Sequence, residues 1–251
     1  MIDPEGPYAE RTRLLVGADG LAALRRSHVF IAGLGGVGSY AAEAIARAGI
    51  GRITLLDHDA VSPSNLNRQL VALRSTLDRP KVEVMAARIA DIDPGIDVQF
   101  STVFLRPDGI RDHVPVDADY VIDCIDSIAC KAALVAACQA RGQQVISSMG
   151  AGGRLDPTVI RVGPLVATRM CPLARQMRKR LKRMRASLEY PVVYSLEQPR
   201  KGTEHRPIDG PVPGRARSVN GTISHLPALF GLTAAGCVIR GLLDRDRTAP
   251  L

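Results

Sequence analysis

Between Val29 and Asp59 the chain reads VFIAGLGGVGSYAAEAIARAGIGRITLLDHD, and few folds accept that order of residues. Val29 to Ala32 is a short apolar strand that runs into Gly33, Gly35, Gly36 and Gly38. Missing Cβ atoms there let the chain turn tightly and let backbone N–H groups approach a phosphate. Ser39 to Ala48 reads as a helix whose N-terminal dipole faces that phosphate. A second strand, Ile53 to Leu56, ends at Asp57, close to the ~20-residue spacing from the glycines at which a carboxylate meets ribose hydroxyls. Strand, glycines, helix, strand and acid in succession predict a doubly wound α/β fold with a mononucleotide or dinucleotide site. A merely structural glycine turn would not need the acid.

The following stretch bears on which nucleotide. Asp59 and then VSPSNLNRQL place Asn65, Asn67 and Arg68 just beyond the acid, and Lys81 follows in RPKVE. Tyr120 to Ile125 is an apolar run with Asp123 and Asp126 at its carboxyl end, where open α/β sheets place their ligands. Gathered around one triphosphate, an arginine and a lysine neutralise phosphate charge while an aspartate holds magnesium. That arrangement suits phosphoryl or nucleotidyl transfer. Taken singly, Arg68 and Lys81 fit a solvated helix face equally well, and Asp126 fits a strand-end cap. A nicotinamide-dependent dehydrogenase would share the glycine fold but leave Arg68, Lys81 and Asp126 without a triphosphate to serve.

In order and spacing, GLGGVG, LLDHD, SNLNRQ, PKVE and DCIDS resemble the adenylating enzymes of the ubiquitin-activating superfamily, whose bacterial members activate sulfur-carrier proteins as acyl adenylates. Within it, VGSYAAEAIARAGIG, NRQLVALRSTL, KVEVMAARIADIDP, YVIDCIDSIACKAALVAAC and GAGGRLDPTVI are most similar to the bacterial tRNA threonylcarbamoyladenosine dehydratases, which cyclise a modified adenosine beside the anticodon. The resemblance implies that Gly33, Gly35, Gly36 and Gly38 cradle ATP, with Asp59 beside them. Asp57 would hold the ribose, Asn65, Arg68 and Lys81 would contact the phosphates, and Asp126 would coordinate Mg2+. Arg13, in ERTRLLVG, matches an arginine that reaches into the partner's site in homodimers of such enzymes. Arg13, Arg68, Lys81 and Asp126 are then the catalytic set. One departure is Val192 in YPVVYSLE, where members of the family carry a cysteine, so no sulfur-relay role attaches to that position. Two rivals remain. One is an activator of a sulfur-carrier or ubiquitin-like protein, and the other a noncatalytic ATP-binding adaptor for a sulfur-transfer protein.

Composition bears on compartment and partners. The polar start MIDPEGPYAE lacks a signal peptide's apolar segment, and a cytoplasmic setting is expected. Leu226 to Ile239 is apolar, but it contains Pro227 and is shorter than the ~20 residues of a membrane span, so a buried or dimer-interface helix is the reading. Cys124, Cys130, Cys138, Cys171 and Cys237 include no C-x-x-C pair. The paired C-x-x-C zinc site of many sulfur-carrier activators is therefore not encoded, and no structural zinc is expected. The thiols read as reduced, with Cys124 and Cys130 in the core.

The net charge of +8 is concentrated in ARQMRKRLKRMRAS, which carries Arg175, Arg178, Lys179, Arg180, Lys182, Arg183 and Arg185. Leu173, Met177, Leu181 and Met184 recur through it at helical spacing. An apolar stripe on a basic helix seats it on the body and turns its cations toward a polyanion such as tRNA, with Arg178, Lys179, Lys182 and Arg183 as the contact residues. A solvated face is the alternative.

Three segments are expected. Residues 1–27 form an N-terminal arm and helix, and residues 28–153 an ATP-binding Rossmann-like domain with a mostly parallel sheet. Residues 154–251 form a C-terminal extension with the basic helix, a mobile loop over Glu197 to Ser218 and the apolar helix. Arg154 to Val166 is expected to extend the sheet in antiparallel fashion through a hairpin at Asp156-Pro157-Thr158.

Overall fold

The computed structural model describes residues 9–200, 204–208, 214–219 and 221–248. The first half alternates strand and helix as its hydrophobic pattern requires. Helix α1 (Glu10–Arg26), kinked at Gly17, leads to β1 (His28–Ala32), α2 (Gly38–Arg47), β2 (Arg52–Leu56), α3 (Lys81–Ile92) and β3 (Asp97–Ser101). A short α4 (Ile110–His113) precedes β4 (Tyr120–Asp123), α5 (Ile128–Ala140) and β5 (Gln144–Ser148). The second half contributes β6 (Ile160–Pro164), α6 (Pro172–Arg183), β7 (Pro191–Ser195), β8 (Glu204–Ile208), β9 (Gly214–Val219) and α7 (His225–Thr248).

Seven strands form one sheet in the order β3-β2-β1-β4-β5-β7-β6. The first six in that order run parallel, and β6 closes the edge antiparallel to β7. Every residue of β1 and β4 is buried, as expected of central strands covered on both faces. One face packs Leu24, Ile45, Met85 and Phe230 from α1, α2, α3 and α7. The other packs Ile110, Leu134, Met177 and Leu181 from α4, α5 and α6. Strand order reverses between β1 and β4, so the crevice at their carboxyl ends is the topological switch point where such sheets bind ligands.

The second half is woven into this sheet. Strand β7 pairs with β5 and α7 lies on α2, so residues beyond 153 share one core with those before it. A Cβ added to Gly231 of α7 would overlap the Val37 carbonyl at the start of α2, so the two backbones touch. Helix α7 is long and apolar enough to cross a membrane, yet Leu226, Phe230, Ala234, Ala235, Val238 and Leu242 are buried against the sheet and α2. Its apolar content is that of a core helix.

Two local expectations are corrected. Strand β6 is antiparallel as expected, but its partner is β7, not the preceding β5. The hairpin expected at Asp156-Pro157-Thr158 is a 3-10 turn, because the Asp156 carboxylate accepts the Thr158 N–H at 2.8 Å and caps it. Of the span expected to be a mobile loop, Glu204–Ile208 and Gly214–Val219 pair as antiparallel strands, while residues 201–203 and 209–213 lie outside the described residues. Pro207 is compatible with its strand because a two-stranded ribbon leaves one edge of each strand unpaired.

Candidate functional site

Gly33 leaves β1 at φ +89°, and its N–H donates to Leu56 O at 2.7 Å, extending the β1–β2 ladder by one rung before the chain turns away. A Cβ on Gly33 would lie 2.9 Å from Cys124 O, and one on Gly38 would overlap the Gly33 carbonyl. One on Gly36 would meet Pro227 at 3.0 Å and Arg68 Cγ at 3.2 Å. Gly33 is thus required by its positive φ and the approach of β4, Gly38 by the tightness of the loop itself, and Gly36 is crowded by α7 and the Arg68 segment. Gly35 differs: its nearest neighbour would be Gln69 Nε2 at 3.9 Å, so its open side is a cradle that a methyl group would fill. Ser39 Oγ donates to Gly35 O at 2.7 Å and accepts the Leu70 N–H at 3.2 Å, holding the loop against the segment that carries Arg68.

Asp57, at the end of β2, is buried. One of its oxygens accepts the Leu34 N–H at 2.5 Å and the other the Asp59 N–H at 2.8 Å, so this carboxylate fixes the glycine loop from below. Residues 59–61 then pair with 79–81, which brings Lys81 Nζ to 2.7 Å from Asp59 Oδ2 although Pro80 and twenty other residues intervene in sequence. Lys81 is almost wholly buried and its partner carboxylate half-exposed, so the ammonium is held at the rim of the crevice. Asn65 accepts the Ser62 N–H at 3.1 Å in a turn that aims Arg68 back at the glycine loop. Arg68 Nη1 donates to Ser64 O at 2.8 Å and Asn67 Oδ1 at 2.9 Å, and burial lowers its pKa. Asp57, His58 and Asp59 also bring three potential metal-binding atoms within 4.8 Å of one another. Asp57 is committed to backbone N–H groups and Asp59 to Lys81, which accounts for that cluster without an ion.

Asp126 is exposed beyond β4, on the turn whose Cys124 carbonyl abuts Gly33. Asp123 does not share its setting. It is wholly buried, paired with Lys131 Nζ at 3.0 Å and bonded by Ser147 Oγ at 2.6 Å. Burial pushes the Asp123 carboxyl up, with Lys131 and Ser147 opposing. Cys124 is wedged beside Gly38, where burial raises its thiol to about 12, so it stays protonated and non-nucleophilic near neutrality. Cys130 is buried and donates to Leu105 O at 3.2 Å. Val192 is fully buried in β7, opposite Ser147.

Helix α6 buries Ala174, Met177 and Leu181 and exposes Arg175, Lys179, Lys182 and Arg183, which lie three and four residues apart on one face. Arg178, expected among the polyanion contacts, is half-buried and donates to the Thr168 carbonyl at 3.0 Å and to its hydroxyl. It tethers the helix to its own body, and Arg175 takes its place on the exposed face. Arg13 is exposed on the first half of α1, ahead of the Gly17 kink, beside Leu14 and Leu15, which are 80% and 85% exposed.

Two residues that pattern reading missed organise the crevice. Buried Arg154 donates to the carbonyls of Gly150, Gly152, Met170 and Glu197, joining the loop after β5 to the start of α6 and the end of β7. Lys131 is the other. Its signal is a single charge early in a helix that is otherwise apolar on every side except for Gln139 near its end.

Comparison with known proteins gives a consistent picture. The ThiF family matches residues 8–250. A tRNA threonylcarbamoyladenosine dehydratase of Bacillus subtilis is 38% identical over 242 residues, 93% of each chain. The enzyme of that name from Escherichia coli is 46% identical over 171 residues, covering 68% of this chain and 64% of the relative. A crystal structure of the E. coli tRNA N6-threonylcarbamoyladenosine dehydratase in complex with ATP superposes with a TM-score of 0.85 at 35% identity, covering 96% of both chains.

Proposed function

The chain belongs to the ThiF family, and on that footing we propose that it carries out the ATP-dependent dehydration of threonylcarbamoyladenosine in tRNA to the cyclic form. The observation that supports this reading is the glycine loop at the switch point: Gly35 is open on one side, Arg68 packs against Gly36, Asp57 holds the loop through Leu34, and Lys81 pairs with Asp59 two residues further on. The donor set fits ATP: backbone N–H groups and two cations for the phosphates and a carboxylate for the ribose. Similarity to the dehydratases over 93% of the chain extends past the nucleotide motifs and favours this substrate over a protein C-terminus.

The threonine carboxylate is a poor electrophile, because its charge repels nucleophiles and its oxygen leaves badly. Transfer to the α-phosphate of ATP removes both faults, giving an acyl adenylate and pyrophosphate. Arg68 and Lys81 are placed to absorb charge that develops on the phosphates, which is worth most in a water-poor crevice. Asp126 is the exposed carboxylate beside the glycine loop suited to hold Mg2+, which when bound would neutralise phosphate charge. A nitrogen of the same side chain then closes the ring and expels AMP. This second step is intramolecular, so holding the substrate in the reactive geometry contributes within the roughly 7–11 kcal/mol available from orientation. No enzyme nucleophile is needed, consistent with protonated Cys124 and with Val192 in β7.

Arg175, Lys179, Lys182 and Arg183 supply a phosphate-contacting face for tRNA, and a cytoplasmic setting goes with that substrate. A homodimer accounts for Arg13, which a second copy covering Leu14 and Leu15 would bring into its neighbour's crevice. The decisive experiment is incubation with ATP, magnesium and threonylcarbamoyladenosine-bearing tRNA, followed by mass analysis of the nucleoside. Loss of one water is expected. An unchanged nucleoside, together with pyrophosphate exchange that depends on a small protein ending in Gly-Gly, would transfer the reading to a carrier-protein activator.

A further inference from the structure

Lys131 is wholly buried, and nothing in the adenylation chemistry uses it. It sits near the start of α5, and its ammonium reaches three acceptors: Asp123 Oδ2 at 3.0 Å, Asp123 O at 3.2 Å and Ile125 O at 2.9 Å. Asp123 completes the knot by accepting the Ile125 N–H at 3.1 Å on its other oxygen and Ser147 Oγ at 2.6 Å. Only one of the three acceptors is a carboxylate. A simple counter-ion for Asp123 would not need the other two, which are main-chain carbonyls on either side of Cys124.

The consequence is a defined turn. With the carbonyls of residues 123 and 125 drawn onto one ammonium, β4 cannot continue along the sheet. The chain rises out of it at Cys124, whose carbonyl meets the face of Gly33, and delivers Asp126 to the surface of the crevice.

We propose that Lys131 is a positioning residue for Asp126: by clamping the two carbonyls before it, Lys131 fixes where the exposed carboxylate stands over the glycine loop and so sets the affinity of that carboxylate for a divalent cation. The inference rests on reading Asp126 as the metal-holding acid. Groups that orient a ligand from behind typically change metal affinity by about 10–100-fold when removed.

Removing Lys131 alone would strand the Asp123 charge in the core and endanger the fold. The test therefore uses the Asp123→Asn/Lys131→Met pair, with Asp123→Asn and Asp126→Ala as companions. Each chain is loaded with a non-hydrolysable ATP analogue and titrated with Mn2+ by electron paramagnetic resonance, and melting is followed in parallel. Asp123→Asn removes the counter-ion but leaves the Lys131 amine its two carbonyl acceptors and an amide oxygen, so it should melt cooperatively at a lower Tm and bind Mn2+ within about twofold of the parent, whereas the pair should weaken binding about 10–100-fold while still melting cooperatively. Parental affinity in the pair, alongside a loss in Asp126→Ala, overturns the role of Lys131 and leaves the reading of Asp126 intact. Parental affinity in Asp126→Ala removes the premise itself. A full loss in Asp123→Asn alone assigns the effect to the ion pair and overturns the clamp. Should the pair fail to melt cooperatively, Asp123→Asn/Lys131→Gln, which retains a buried donor too short to span both carbonyls, is read by the same criteria.

Discussion

Two of the loop glycines make opposite predictions. Gly35 lies outside the left-handed region, and an added methyl group meets nothing of the protein closer than Gln69 Nε2 at 3.9 Å. Gly35→Ala should therefore fold normally. Loss of glycine's freedom in the unfolded chain contributes about 0.4–1 kcal/mol of stability, raising Tm by about 1–4 °C for a chain of this size. The same methyl group occupies the side of the loop from which a phosphate would approach. Separating one phosphate oxygen from one backbone N–H forfeits a charge-assisted hydrogen bond of about 1.5–3 kcal/mol, so ATP should bind roughly 10- to 150-fold more weakly. Gly33→Ala behaves otherwise. At φ +89° a side chain costs about 1–2 kcal/mol, and the Cβ set 2.9 Å from Cys124 O adds about 1–3 kcal/mol of overpacking, so Tm should fall by roughly 4–20 °C. Isothermal titration with ATP and scanning calorimetry on both variants make the comparison. Gly35→Ala with parental ATP affinity and a raised Tm would refute the assignment of this loop as the phosphate cradle.

Asp126→Ala should leave Tm unchanged and abolish AMP formation dependent on the modified tRNA; undiminished turnover would take Asp126 out of the site. Mixing Arg13→Ala chains with Asp126→Ala chains should restore part of the activity, because each mixed dimer holds one site with both residues, and a mixture no better than its parents would speak against sharing across a two-fold axis. Changing Arg175, Lys179, Lys182 and Arg183 to Gln should reduce the slope of log tRNA affinity against log salt by roughly 0.7–0.9 for each phosphate left without its cation and leave ATP binding unaltered, whereas an unchanged slope would return α6 to a solvated face. His28 is buried against Thr54, and burial reinforced by Arg52 holds its pKa below 6.5. The folded chain then binds fewer protons at this site than the unfolded one, so stability is full above the unfolded pKa and declines as pH falls through the window below it. Tm measured from about pH 7 down to 5 should decline less in His28→Gln than in the parent, and parallel curves would exclude His28 as the cause.

The nucleotide half was readable because each of its signals is local. A central parallel strand must be apolar throughout, the turn after it must lack Cβ atoms, and the acid must follow the next strand, so β1, α2, β2 and Asp57 stand in sequence as they stand in space. The half-buried setting of Arg178 was not legible because charge patterning assigns a cation to solvent by default, while Thr168, ten residues away, holds it to the body. Asp123 and Asp126 look alike in sequence, two acids at one strand end. Only the third dimension separates them, since Asp123 points into the layer where Lys131 and Ser147 wait and Asp126 lies past the turn. The partners of β6 and β7 were harder to read than the antiparallel direction of β6. Helix α6 lies between the two strands, yet they pair antiparallel, β7 pairs in parallel with the more distant β5, and β6 is a half-exposed edge with no continuous apolar run.

Packing at the glycine loop also explains why the chain past residue 153 belongs to the nucleotide site. A Cβ on Gly36 would crowd Pro227 of α7 at 3.0 Å, and Gly231 of α7 lies against Val37, the residue that caps α2. The glycine turn is therefore gripped between β4 on one side and the first turns of α7 on the other. A helix apolar enough for a membrane is used here to make a flexible, glycine-rich segment rigid. Rigidity matters because backbone N–H groups stabilise a developing phosphate charge only when they already point at it, before the charge appears. Arg154 extends the same logic toward the tRNA. By tying the loop after β5 to the start of α6, it links the face that would hold the polyanion to the crevice in which its modified base would react.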